Sequence, residues 1–180
     1  MLIQDIGEVI DDAKSWHDAY DLANNKKTIY TRSGKKELSV GRIYIIATFE
    51  DGSKLPIYSS DFVSGNAGNG PWPNGVFRGT KINEGYFGDA YRYNNSHLGF
   101  KLMFWDNDPQ NLGRSGHRIH PDVNRYFGNQ GCTSIQDNDI MLKRFYNIVR
   151  LYLNDQKFIY ESINLKNNPN YNSNGKSTNN

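Results

Sequence analysis

Two runs of strand-favouring residues, split by a two-residue turn signal, constrain this chain more than any other feature. Leu38 to Phe49 and Leu55 to Phe62 are rich in Ile, Val, Tyr and Phe, and Asp51-Gly52 lies between them. β-Branched and aromatic side chains fit a pleated, half-buried surface, and Asp-Gly favours a tight antiparallel connection. The pair predicts a hairpin, and strands are expected to resume at Val76 to Ile82 and His97 to Trp105. The next stretch, Ser64 to Gly75, holds four glycines and two prolines, so it must be an ordered loop or a series of turns. Within it, Trp72 between two prolines reads as an anchor packed on the core. Aromatics at 13%, with 12 tyrosines and 17 glycines, suit a mainly β globular domain.

Two stretches carry a different period. Leu2, Ile6, Val9, Ala13, Trp16, Tyr20 and Ala23 recur every three or four positions, which predicts an amphipathic N-terminal helix to about Asn24, docked on the domain. Ile140, Met141, Phe145, Ile148, Val149 and Tyr152 repeat similarly, and Asp137 or Asn138 can cap that helix. Residues 167–180 are almost wholly Asn, Ser, Lys and Gly, too polar to bury anything, and are expected to be disordered. The chain thus divides into an N-terminal helix and linker (1–34), one domain (35–166) and a polar tail (167–180). A length of 180 residues suits one core.

Charge and hydropathy exclude several roles. Lys plus Arg number 21 against 19 for Asp plus Glu, and no basic block interleaves with aromatics, so nucleic acid is not an expected partner. No segment approaches the roughly 20 apolar residues of a membrane span, and no charged n-region precedes an apolar h-region at the start. That leaves a cytoplasmic protein, one exported without a cleaved signal, or one whose leader is missing. The single cysteine cannot form a disulfide within the chain.

That cysteine, Cys132, needs another explanation. On composition alone a lone cysteine is a small buried hydrophobe. This one lies in the polar, glycine-flanked run Gly128-Asn129-Gln130-Gly131-Cys132-Thr133-Ser134, twelve positions after His120 in Gly116-His117-Arg118-Ile119-His120-Pro121. An imidazole beside a thiol, or main-chain N–H groups pointing at it, lower its pKa and make it a nucleophile. Gly131 lets the chain turn sharply, so that N–H groups could face a developing oxyanion. In a strand, His117 goes with Ile119 and His120 with Arg118, so only one histidine easily faces the thiol. A zinc site from His117, His120 and Cys132 has the right ligand types. Opposite faces and the want of a further ligand argue against it, so neither metal nor cofactor is expected.

Arg118-Ile119-His120, then Gly131-Cys132, then Asp137-Asn138-Asp139 leading into a helix, resembles the catalytic region of the L,D-transpeptidase (YkuD-type) family. Pro73-Asn74-Gly75-Val76-Phe77 resembles that family's Thr-Pro-x-Gly-x-Phe segment, and Ile57 to Gly65 its preceding strand. The likeness runs from about Leu38 to Val149. It departs from the family at Gln130, which stands for the histidine before Gly-Cys, at Pro121 for a glycine, and at Ser134 for an arginine. Divergent L,D-transpeptidase-like toxins delivered by type VI secretion are more similar, since they also lack that histidine and a signal peptide.

The resemblance implies a β-sandwich with a short helix after the cysteine. It casts Cys132 as nucleophile, His120 as base and the Pro121 carbonyl as the group that orients the imidazole. Main-chain N–H groups of Gln130, Gly131 and Cys132 would form the oxyanion hole, with Arg118, Asn129 and Ser134 as substrate contacts and Arg114 or Arg125 as other substitutes for the missing arginine. The implied substrates are peptidoglycan stem peptides, cleaved or transferred through a thioester. The implied setting is a secreted antibacterial effector acting in the periplasm or wall of a target bacterium, with an immunity protein and secretion machinery as partners. Gln130, Pro121 and Ser134 favour one rival, a non-catalytic wall-binding or interaction module of the same fold, and a third reading is a cysteine peptidase of other specificity with a convergent Cys–His pair.

Overall fold

The computed structural model describes residues 1–10, 38–65, 71–85, 93, 98–104, 117–121, 131–152 and 158–165. Eight strands form one closed barrel in the order β1-β2-β3-β7-β6-β5-β4-β8. They are β1 (Leu2–Ile10), β2 (Leu38–Thr48), β3 (Lys54–Gly65), β4 (Gly75–Gly85), β5 (Gly99–Phe104), β6 (Arg118–Pro121), β7 (Thr133–Gln136) and β8 (Phe158–Asn164). One described helix, α1 (Asp139–Tyr152), follows β7. Neighbours run antiparallel except β6 with β7 and β1 with β8, which are parallel. The expected sandwich is thus a barrel. Parallel pairing of β8 with β1 joins the first and last described strands and closes the barrel.

The expected N-terminal helix is corrected over its first turns. Leu2–Ile10 is a strand in the barrel wall, paired with β2 on one side and β8 on the other. Ile3, Asp5, Gly7 and Val9 alternate inward, and only Ile3 and Val9 of these are apolar. The outward Leu2 and Ile6 supply the apparent helical spacing, so a buried aspartate and a glycine mask a period of two. Residues 11–34, the rest of that expected helix and linker, and the tail 167–180 lie outside the described residues.

The β2–β3 hairpin closes through Asp51-Gly52. Gly52 has a φ of +82°, the left-handed region glycine enters without strain, and the Ser53 N–H donates to Asp51 Oδ1 at 2.9 Å. Helix α1 begins at the expected cap: the Met141 N–H donates to Asn138 Oδ1 at 3.1 Å. Its inner stripe of Leu142, Phe145, Tyr146 and Val149 is buried. Phe145 packs on Tyr58 and Phe100, ring centroids 5.2 and 5.5 Å away, both on the inner face of the barrel.

Trp72 fills the interior from the loop after β3. It is 1% exposed and meets Phe77, Phe104 and Tyr160 at centroid separations of 5.3, 4.8 and 4.8 Å. Its main-chain N–H donates to Ser64 Oγ at 2.9 Å, and its main-chain carbonyl accepts from Asn164 Nδ2 at 2.7 Å. These bonds tie Trp72 to β3 and β8. No helix among the described residues is long and apolar enough to cross a membrane.

Candidate active site

β6 and β7 run in parallel register, with Ile119 opposite Thr133, His120 opposite Ser134 and Pro121 opposite Ile135. Successive side chains of a strand leave on opposite faces. Ile119, Thr133 and Ile135 point into the barrel and are fully buried. Arg118, His120, Cys132 and Ser134 therefore share the outer face. One further step of the ladder sets Cys132 beside Arg118, whose main-chain N–H donates to the sulfur. Across β6, Leu102 pairs with Ile119 and Met103 with Arg118, so the next step sets Lys101 beside His120. Two rows thus cross three strands: Ser134, His120 and Lys101 in one, Cys132, Arg118 and Met103 in the other.

The imidazole is fixed by its own strand. His120 Nδ1 lies 2.7 Å from the Pro121 carbonyl oxygen. A carbonyl only accepts, so Nδ1 carries the proton and Nε2 is the nitrogen able to take one. Nε2 faces Ser134 Oγ at 3.4 Å. His120 is 5% exposed, and its pKa falls to about 4 because burial disfavours the imidazolium and the Lys101 and Arg118 charges repel it, against the opposing Pro121 bond. The histidine is thus neutral at pH 7.

Cys132 is half-buried. Burial pushes its thiol above the ordinary range, while the Arg118 N–H and the charges of Arg118 and Lys101 pull it down. Burial thus favours the uncharged form of both groups, the protonated thiol and the neutral imidazole, which stand in adjacent rows of the outer face. Gly131 has a φ of +107°, so the turn into Cys132 needs glycine.

The inner face anchors this arrangement. Thr133 follows the thiol, and its Oγ1 donates to Asp5 Oδ2 at 3.2 Å and lies 2.8 Å from the Tyr160 hydroxyl. The Tyr160 hydroxyl also donates to Asp5 Oδ2. Burial raises Asp5 to about 6 despite these hydrogen bonds. The site strand is therefore bolted to β1 and β8 by a buried polar cluster.

The sequence candidates separate cleanly in this geometry. Cys132, His120, Pro121, Gly131, Arg118 and Ser134 come together. Ser134, expected to touch substrate, is 1% exposed and lies against the imidazole instead. His117 is on the other face, its ring 4.6 Å from that of Trp72. Asn129, Gln130, Arg114 and Arg125 lie outside the described residues. Among the described residues no cluster of three His, Cys, Asp or Glu side chains could hold a metal ion. Sequence reading missed Lys101, Asp5, Thr133 and Tyr160. A lysine amid the alternating apolar residues of Gly99–Phe104 was the available signal for the first.

Compared with known proteins, the chain matches no family model, no curated protein and no solved structure.

Proposed function

We propose that the protein is a thiol-dependent peptidoglycan L,D-transpeptidase or L,D-carboxypeptidase, acting on stem peptides without metal or cofactor. The observation that carries this reading is the 2.7 Å contact of His120 Nδ1 with the Pro121 carbonyl, which leaves Nε2 as base on the face that also bears Cys132. The thiol gives its proton to Nε2, and the sulfur bonds to the carbonyl carbon of the third stem residue. The bond from that carbon to the nitrogen of the terminal D-alanine breaks, and the departing amine takes the proton from His120. Water, or the amine of another stem or a free D-amino acid, then attacks the thioester and restores the thiol. Main-chain N–H groups of Cys132, Gly131 and Gln130 are the proposed donors to the oxyanion.

The sequence resemblance further supports delivery as an antibacterial effector into the periplasm or wall of a target cell, with secretion machinery and an immunity protein as partners. Two observations favour the rival binding module: burial raises the thiol, and the near neighbour of Nε2 is Ser134.

The test incubates purified muropeptides with wild type and with Cys132→Ala and reads the products by mass. Loss of D-alanine or new cross-links with wild type alone supports the enzyme. Identical products from both proteins leave the binding module, and cleavage at another bond points to a peptidase of other specificity. His120→Ala is expected to abolish turnover, and His117→Ala to spare the chemistry.

A further inference from the structure

Three oxygens lie against one another inside the barrel, and one of them belongs to the residue after the thiol. Thr133 Oγ1 is 3.2 Å from Asp5 Oδ2 and 2.8 Å from the Tyr160 hydroxyl, which also bonds to Asp5 Oδ2. All three residues are buried. A hydrogen bond needs a proton between its two oxygens, and a carboxylate brings none. With Asp5 ionised, two hydroxyls supply two protons for three contacts, so one pair of oxygens meets without a proton. With Asp5 protonated, each oxygen donates once and accepts once, and the ring closes. A buried polar contact left unfilled is costly. The rise of Asp5 to about 6, caused by burial, agrees with a cluster that favours the proton.

We propose that Asp5, Thr133 and Tyr160 form a proton-operated clamp on the Cys132 turn, tight when Asp5 is protonated and looser when it is ionised, so that pH governs access to the thiol. Among the described residues, the side chains set around Asp5 are uncharged: Ile43 on β2, Tyr160 and Ser162 on β8, and Thr133 on β7. Tyr160 is the titratable one of these, and burial pushes its phenol well above the ordinary range. His117, across the Trp72 ring from Tyr160, is a further titratable side chain on this side of the wall. The route to the sulfur is the main chain. Gly131 turns at a φ of +107°, Cys132 follows half-buried, and Thr133 is the next residue, anchored to β1 and β8. The charges that act on the thiol are those of Arg118 and Lys101, on the outer face. Control of thiol access stands apart from the catalytic reading above; control of turnover rests on it.

Alkylation of Cys132 by iodoacetamide tests this on the full chain. The rate for wild type divided by that for Asp5→Asn cancels the thiol's own titration. Asparagine is uncharged and its amide supplies the protons a carboxylate lacks, so the variant keeps the tight form at every pH. The ratio should rise about 2- to 10-fold from pH 5 to pH 7, the net worth of one hydrogen bond, with its midpoint near the Asp5 value of about 6. A flat ratio overturns the clamp, and so does a step that vanishes in His117→Gln. Wild type alone gives a second reading by NMR, which serves if the Asp5 variant does not fold. The Cys132 amide should shift with the same midpoint as the Asp5 carboxyl carbon, and an amide that ignores that titration overturns the clamp. Muropeptide turnover separates the two proposals. A rising ratio with no turnover keeps the clamp and sinks the enzyme, and turnover with a flat ratio does the reverse.

Discussion

Lowering the pH from 7 to 4 should move two buried groups of this barrel in opposite directions, and replacing either should expose the other. Asp5 titrates at about 6 in the folded chain against an ordinary 3.8, because burial disfavours its charge. A raised carboxyl contributes stability that is full below 3.8 and lost as pH rises through 6. His120 titrates at about 4 against 6.5. A depressed imidazole contributes stability that is full above 6.5 and lost as pH falls toward 4. Each tenfold change in an ionisation constant is worth ~1.4 kcal/mol, so each group shifts stability by ~2–3 kcal/mol over this range, with opposite sign. Wild type should therefore show little net dependence from this pair.

Asp5→Asn removes the acid-side gain and leaves the histidine loss. Its stability relative to wild type should fall by ~2–3 kcal/mol between pH 7 and pH 4. His120→Gln should do the reverse and rise relative to wild type over the same range. Urea unfolding followed by tryptophan fluorescence at several pH values measures both, and differences against wild type cancel the background of exposed carboxylates. If the Asp5→Asn curve stays parallel to wild type from pH 7 to pH 4, then Asp5 is not held in the barrel as a desolvated acid.

Trp72→Ala empties the space against Phe77, Phe104 and Tyr160 and should cost about 3–5 kcal/mol, read as a fall of roughly 10 °C in Tm. Gly131→Ala forces a β-carbon onto a backbone at φ +107°; a loss of about 1–3 kcal/mol in urea unfolding is expected, together with a drop in muropeptide turnover. Asn138→Ala deletes the cap on the Met141 N–H and should cost about 1 kcal/mol in the same assay, with turnover retained.

What could be read from the sequence follows from which signals are local. The hairpin at Asp51-Gly52 and the cap at Asn138 depend on residues a few positions apart, and both are where the pattern puts them. Strands β1 and β8 were hidden because their inward positions include Asp5, Gly7, Ser162 and Asn164, which carry no apolar signal. Their polarity is explained only by partners far along the chain: Tyr160 for Asp5, 155 residues away, and Trp72 for Asn164, 92 away. Sandwich against barrel was likewise illegible, since closure rests on the parallel pairing of the first described strand with the last.

The site shows the same division at finer scale. His120 and Cys132 are visible as residue types, and the alternation of side chains already separates His120 from His117. Lys101 enters only through register, because nothing in its own neighbourhood marks it as close to residue 120. Register is also what the inner face secures. Thr133, held by Asp5 and Tyr160, and Ile119 and Ile135, buried in the core, fix which residues of β6 and β7 face outward. A slip of one residue would turn His120, Cys132 and Ser134 inward together and put isoleucines outside. The buried polar cluster around Asp5 therefore acts on the candidate site without approaching it, by making one register of a short parallel pair more stable than its neighbours. Weakening that cluster with Tyr160→Phe should then loosen the thiol's setting even though the sulfur's own contacts are untouched.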